Sequence, residues 1–164
     1  MKVLVLYYSK GGNTKKLAQA VLKGLGSVEG IQGVLRDTDT VTKTDFIEAQ
    51  GIIAGSPVYF GSMAAPLKQV FEKFVSTRRK MEGKIGAAFT TSGDATGGKE
   101  TTIMSILQAF LIYGMVVTGD PLAATGHYGV ACVGTPDEKS MENAEKLGKR
   151  VGELARMLSQ EEKI

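Results

Sequence analysis

The sequence predicts an α/β fold: a doubly wound parallel sheet of five strands in the order 2-1-3-4-5, covered by helices on both faces. Three observations predict it. Short apolar runs alternate along the chain with segments of helical apolar spacing, which implies right-handed crossovers between parallel strands. The runs are continuous rather than alternating, as in strands buried on both faces. Three of them end in loops rich in Gly, Ser and Thr, at the carboxyl ends where such sheets bind ligands.

The first strand is the run Val3 to Tyr8, stopped by Ser9-Lys10-Gly11-Gly12-Asn13-Thr14. A helix follows from Lys15, with Leu17, Ala18, Val21, Leu22 and Leu25 on one face. Ile31 to Arg36 is the second strand, the polar stretch Thr38 to Thr44 a loop, and Asp45 to Gln50 one helical turn. Gly51 to Gly55 is the third strand, ending at Ser56-Pro57-Val58-Tyr59-Phe60-Gly61-Ser62. Pro66 opens the next helix, a favoured position for proline, and Leu67, Val70, Phe71, Phe74 and Val75 form its core face. Lys84 to Thr91 is the fourth strand and runs into Ser92-Gly93-Asp94-Ala95-Thr96-Gly97-Gly98. Helical spacing returns with Ile103, Ile106, Leu107, Phe110 and Leu111 and stops at Gly114. Met115 to Thr118 and Tyr128 to Val133 are one interrupted last strand or two short ones. The final helix starts at Pro136-Asp137 and frays after Ser159; within it Gly148 and Gly152 are expected to allow close packing on the sheet. Residues 1–164 read as one domain, without repeat or linker.

Composition narrows the function. An apolar fraction of 43% and a charged fraction of 23% are those of an ordinary globular protein. The net charge of +3 is interspersed, which gives no nucleic-acid footprint. Cys132 is the one cysteine, so no internal disulfide forms and a reducing, cytoplasmic setting is expected. One His and one Cys make no zinc site. The apolar start leads into a polar loop rather than a cleavage site, and no apolar run approaches the ~20 residues of a membrane helix.

The loop from Ser9 to Thr14 carries the first chemical signal. At a helix start the leading N–H groups lack partners and the helix dipole adds positive charge, so two glycines, two hydroxyls and an amide there form a phosphate cradle. The same residues also suit an ordinary capped turn. Neither the Walker ending nor the three-glycine dinucleotide fingerprint is present. The loops Ser56–Ser62 and Thr91–Gly98 fall at the same edge of the sheet, and their convergence favours a binding site.

The segment YYSKGGNT resembles the FMN-phosphate loop of the flavodoxin-like family, in which a strand runs into Ser/Thr-x-x-Gly-Asn-Thr. Across the chain, SPVYFGSMAAPLKQVFEK, TTSGDATGGKETTI, YGMVV and YGVACVGTPDEKS are most similar to the WrbA-type NAD(P)H:quinone oxidoreductases. The resemblance implies a flavodoxin-like three-layer sandwich, FMN as cofactor, NADH or NADPH as electron donor, a quinone-type acceptor and a homodimer or homotetramer. It places the FMN phosphate on Ser9, Lys10, Gly11, Gly12, Asn13 and Thr14. It places the isoalloxazine ring along Pro57, Val58, Tyr59, Phe60 and Gly61. The pyrimidine and ribityl side falls to Thr91, Ser92, Gly93, Asp94, Ala95, Thr96 and Gly97. The chain departs from the family in three ways: Met115 to His127 is short, Tyr113 stands where a histidine often precedes Gly-Met, and there is no tryptophan.

Flavin-borne chemistry needs no protein nucleophile. Tyr59, Tyr113 and His127 are the candidate proton donors to a quinone oxygen, and the sequence does not choose among them. Tyr59 and Phe60 are either core residues or ring-stacking aromatics. Cys132 reads as inert core, and Arg78-Arg79-Lys80 as a solvated turn or a contact for a cofactor phosphate across a subunit boundary. A one-electron flavodoxin carrier is the rival function; such carriers are usually strongly acidic, and this chain is net positive. A signalling receiver of the same fold needs acidic residues where Tyr8-Ser9 and Gly55-Ser56-Pro57 stand, and is set aside.

Overall fold

The computed structural model describes the backbone of residues 1–161 and side chains to Ser159. Its strands are β1 (Lys2–Tyr7), β2 (Gln32–Asp37), β3 (Ala49–Tyr59), β4 (Ser62–Met63), β5 (Ile85–Ser92), β6 (Val116–Val117) and β7 (Val130–Val133). Its helices are α1 (Asn13–Gly26), α2 (Lys43–Glu48), α3 (Ala65–Lys73), α4 (Lys99–Ile112) and α5 (Glu138–Glu161), with a 3₁₀ turn at Val75–Lys80. The expected fraying after Ser159 concerns side chains and residues outside those described; the α5 backbone is helical to Glu161.

The sheet runs β2-β1-β3-β5-β6, and β7 also pairs with β5. The last position is therefore filled by two short strands. β6 lies beside Ile85 and Gly86, and β7 beside Phe89 to Ser92, all parallel. The chain leaves the sheet between them and returns higher on the same edge of β5.

Both faces of the sheet are buried, which explains the continuous apolar runs. Val3, Val5, Tyr7, Ile53, Ala87 and Phe89 point to one side, under α1 and α5. Leu4, Leu6, Ile52, Ala54 and Ala88 point to the other, under α2, α3 and α4. On that second side Phe46, Phe71, Phe74, Phe110 and Tyr113 form an edge-to-face aromatic cluster, with Phe46–Phe74 centroids 5.1 Å apart and Phe71–Phe110 5.4 Å.

Three local expectations are corrected. The helical turn expected from Asp45 is α2, Lys43–Glu48, because Thr42 and Asp45 form a capping box and Asp45 is its third residue. The third strand is longer than the run Gly51 to Gly55 and ends in a hairpin, with Val58 opposite Met63 and Tyr59 opposite Ser62. Gly148 packs on a helix rather than on the sheet. A Cβ there would lie 2.1 Å from the Val21 carbonyl oxygen, and one on Gly24 would lie 1.9 Å from that of Glu145. The α1 and α5 backbones thus touch through two glycines, while Gly152 faces the Val28 side chain. Among the described residues no helix is long and apolar enough to cross a membrane.

The helix contact makes a prediction. Gly148→Ala should destabilise the protein by about 1–3 kcal/mol, because overpacking against a backbone outweighs the gain in helix propensity. Gly26→Ala, where a Cβ meets nothing within 4 Å, should be neutral or stabilising. Urea denaturation of the two variants checks this; equal stabilities would mean that α1 and α5 are not in backbone contact.

Candidate functional site

The loops after β1, β3, β5 and β7 meet at the carboxyl edge of the sheet around a cavity of about 170 Å³. Ser9, Lys10, Gly11, Asn13, Thr14, Pro57, Val58, Tyr59, Thr91, Ser92 and Gly93 line it, all of them expected from the sequence. Gly134 completes the lining and was not expected. The sequence carries a signal for it: a glycine directly follows the last apolar run, at Val133-Gly134-Thr135-Pro136.

The first loop is held open from within. The Ser9 hydroxyl accepts from the N–H of Gly12 (3.1 Å) and of Lys15 (3.3 Å). Gly12 takes the N-cap position of α1 with φ +90°, a conformation that disfavours any side chain, and its carbonyl accepts from Lys16 N–H. Gly12 has no side chain to cap the helix, and apart from the Ser9 bond to Lys15 its first turn is open: the N–H groups of Asn13 and Thr14 have no acceptor among the described residues. They sit at the positive end of the α1 dipole, beside Lys10. A Cβ on Gly11 would meet no atom within 4 Å, so the loop is open at that point of the cavity wall. Thr14 is 2% exposed, and its hydroxyl is 2.8 Å from that of Thr91. That hydrogen bond ties the first loop to the end of β5.

The second loop is the β3–β4 hairpin. Phe60 (φ +52°) and Gly61 (φ +70°) are its two central residues, both left-handed, as a tight two-residue hairpin turn requires. Buried hydroxyls anchor its base: Thr90 donates to the Ser56 carbonyl (2.7 Å), and the Ser56 hydroxyl accepts from Ala64 N–H (2.8 Å). Tyr59 faces the cavity with its ring edge-on to Tyr8. The Phe60 ring projects fully into solvent and does not line the cavity.

In the third loop the Ser92 hydroxyl donates to the Asp94 carbonyl (2.6 Å) and accepts from Asp94 N–H (3.2 Å). The Asp94 carboxylate accepts from Thr96 N–H (2.9 Å) and the Thr96 hydroxyl (3.0 Å), which hold it below the usual carboxylate range. Asp94, Ala95, Thr96 and Gly97 thus frame the loop without lining the cavity. A Cβ on Gly98 would lie 2.8 Å from the Gly61 Cα, so the second and third loops touch backbone to backbone. The fourth loop closes on the third, with Gly134 N–H donating to the Ser92 carbonyl at 2.7 Å.

Two of the candidate proton donors stand outside this cavity. Tyr113 follows α4 at the amino edge of the sheet, in the aromatic cluster, where its hydroxyl donates to the Phe71 carbonyl and burial pushes its pKa up to about 12. His127 is exposed in the loop between β6 and β7, and its N–H donates to the Asp120 carboxylate. Cys132 is buried in β7, and burial pushes its thiol up to about 11. Tyr59 is the one of the three donor candidates that the fold brings to the cavity.

Comparison with known proteins fits this geometry. Residues 1–129 match the model of the family described as NADPH-dependent FMN reductase. A protein of Aquifex aeolicus named flavodoxin is 37% identical over 158 residues, covering 93% of this chain and 85% of its own. An Archaeoglobus fulgidus protein named NAD(P)H dehydrogenase (quinone) is 32% identical over 188 residues, covering 96% and 98%. The crystal structure of a flavodoxin, WrbA-like protein from Agrobacterium tumefaciens superposes with a TM-score of 0.83 at 22% identity, over 95% of this chain and 98% of that one, and shares the fold. With the family model spanning most of its length, the chain belongs to the NADPH-dependent FMN reductase family, on a flavodoxin-like fold.

Proposed function

We propose that the protein is an FMN-dependent oxidoreductase that passes hydride from NADH or NADPH to a quinone-type acceptor. The observation that carries it is the pair of N–H groups at Asn13 and Thr14, without an acceptor among the described residues, at the α1 N-terminus where both residues line the pocket. They suit a phosphate dianion, and the pocket matches the position where doubly wound sheets bind ligands. The cavity is smaller than the ~300 Å³ of a pocket that encloses a whole cofactor, so it suits the phosphate end and leaves a flat ring at the rim by Tyr59. Bound there, the flavin supplies the electron sink. The chain's own part is to hold and orient. Asn13, Thr14 and Lys10 neutralise the phosphate, Tyr59 offers an aromatic face and a hydroxyl, and the backbone of Thr91 to Gly93 offers donors to a developing negative charge.

The rival carrier function is supported by the name flavodoxin on the Aquifex relative. Against it stand the net charge of +3 and the tight second loop, which returns to α3 within a two-residue turn and leaves the rim uncovered. The Archaeoglobus relative's name supports the enzyme.

Two predictions follow from this reading. Thr14→Ala should weaken FMN binding about tenfold or more, since a hydrogen bond to a charged group is worth about 1.5–3 kcal/mol. It should also lower the stability of the FMN-free protein by about 1 kcal/mol, because the Thr91 hydroxyl loses its partner. Fluorescence titration with FMN checks the first effect, and unchanged affinity would mean that the Thr14 hydroxyl does not bond the phosphate.

The second prediction separates enzyme from carrier. Mixed anaerobically with NADH or NADPH alone, the FMN-loaded protein should bleach, and a simple benzoquinone should restore its colour. A pocket visited in turn by donor and acceptor should give parallel double-reciprocal plots, the mark of ping-pong kinetics. If neither nicotinamide bleaches the flavin while a separate reductase protein does, the carrier function replaces the enzyme.

A further inference from the structure

Asp120 lies in a surface loop between β6 and β7, yet it is only 5% exposed. Its carboxylate accepts four hydrogen bonds: from Thr125 N–H (2.8 Å), the Thr125 hydroxyl (2.6 Å), Gly126 N–H (3.0 Å) and His127 N–H (2.9 Å). Among the described residues no cation pairs with it, so neutral donors alone hold the charge. Burial pushes its carboxyl pKa up, but these bonds outweigh that and leave it lowered. The ring so closed is tight. A Cβ on Gly119 would lie 1.9 Å from the His127 carbonyl oxygen. From outside, Lys146 donates to the Ala123 carbonyl (2.9 Å) and Arg150 to the Thr118 hydroxyl (3.1 Å), fastening the loop to α5.

What leaves the ring is β7. Gly129 approaches β5 so closely that a Cβ would lie 2.2 Å from the Ala88 carbonyl oxygen. Val130 to Val133 then pair with Phe89 to Ser92, and Gly134 N–H reaches the Ser92 carbonyl at 2.7 Å. The strand is four residues long, and among the described residues β5 is its one sheet neighbour. So short an edge strand depends on how its two ends are fixed. Gly134, the residue after its far end, lines the cavity; its near end, Val130, starts three residues after His127, the last N–H bound by Asp120.

We propose that Asp120 is a positioning residue for the cavity: it closes the loop, the loop sets where β7 starts, and β7 holds Gly134 against Ser92. What the wall contacts rests on the FMN reading above; the coupling from Asp120 to Gly134 does not. The test uses the full chain without ligand and reads amide hydrogen exchange residue by residue. Asp120→Asn turns an NH₂ group toward a backbone N–H and loses at least one of the four bonds; Thr125→Val removes the shortest of them with little change of shape. In Asp120→Asn, exchange at Gly134 and along Val130 to Val133 should accelerate about tenfold or more, with β1 and β3 unchanged. Thr125→Val should act in the same direction by about threefold, and it carries the test alone if Asp120→Asn fails to fold. FMN affinity should fall about three- to tenfold in Asp120→Asn. Loss of protection at Thr125 to His127 with Gly134 unaffected would overturn the proposal, as would equal acceleration in β1 and β3. If the unmodified protein ignores FMN, the cofactor reading falls and the exchange pattern still decides the role of Asp120.

Discussion

Covering a parallel sheet with helices on both faces leaves no place for polar side chains between the strand ends, and this constraint organises the rest of the molecule. Val3 to Leu6, Ile52 to Ala54 and Ala87 to Phe89 are buried whichever way they point. The change to hydroxyl residues comes at one level across neighbouring strands, Ser56 beside Thr90 and Pro57 beside Thr91. Each crossover must also turn into a helix there, so the N–H-rich start of α1 arrives at the same edge. The cavity forms because the apolar part of the sheet stops and the helix starts converge.

Within the cavity, the side chains and the main chain divide the work differently from what residue type suggests. Ser9, Thr14, Ser92 and Asp94 all read as ligands for a phosphate or a flavin. Each makes hydrogen bonds within or between loops: Ser9 to the α1 start, Thr14 to Thr91, Ser92 and Asp94 to the turn that follows β5. Among the described residues the donors left over include the backbone N–H groups of Asn13 and Thr14, together with the Lys10 and Asn13 side chains. A hydroxyl can still serve both duties, since it donates one bond and accepts two. The arrangement makes the loops rigid before any ligand arrives, which lowers the ordering cost of binding.

The sequence made the sheet order, both helix layers and three of the four cavity loops legible, because each rests on local signals: continuous apolar runs, helical periodicity, and Gly, Ser and Thr at strand ends. What it hid depends on contacts between distant segments. Nothing local marks Ser62–Met63 as a strand, since two residues gain that identity only by pairing with β3. Gly148 was visible as an oddity in a helix, but its partner, the Val21 carbonyl, is set by how α1 crosses α5. Tyr113 follows an amphipathic run and precedes a glycine, which suits either a core or a rim position; only the direction of α4 sends it to the amino edge. Asp120 stands before a proline between two short apolar runs, and its four hydrogen bonds come from a return of the chain that no periodicity encodes.

Fold membership does not choose between carrier and enzyme, because the same sheet and phosphate loop serve both. The second loop is the part of the structure that supports the proposed enzyme over the carrier. Holding Phe60 in the left-handed region costs about 1–3 kcal/mol, and its ring, fully in solvent, returns nothing through burial. A glycine or asparagine would form the turn more cheaply. The turn itself has a structural reason, since reversing the chain within two residues brings Ala64 back to the Ser56 hydroxyl and starts α3 at Ala65. That keeps the connection short and the rim beside Tyr59 uncovered. An uncovered rim with an exposed phenyl ring beside it suits small flat molecules that arrive and leave in turn, and a basic surface does not suit the docking of a basic protein partner.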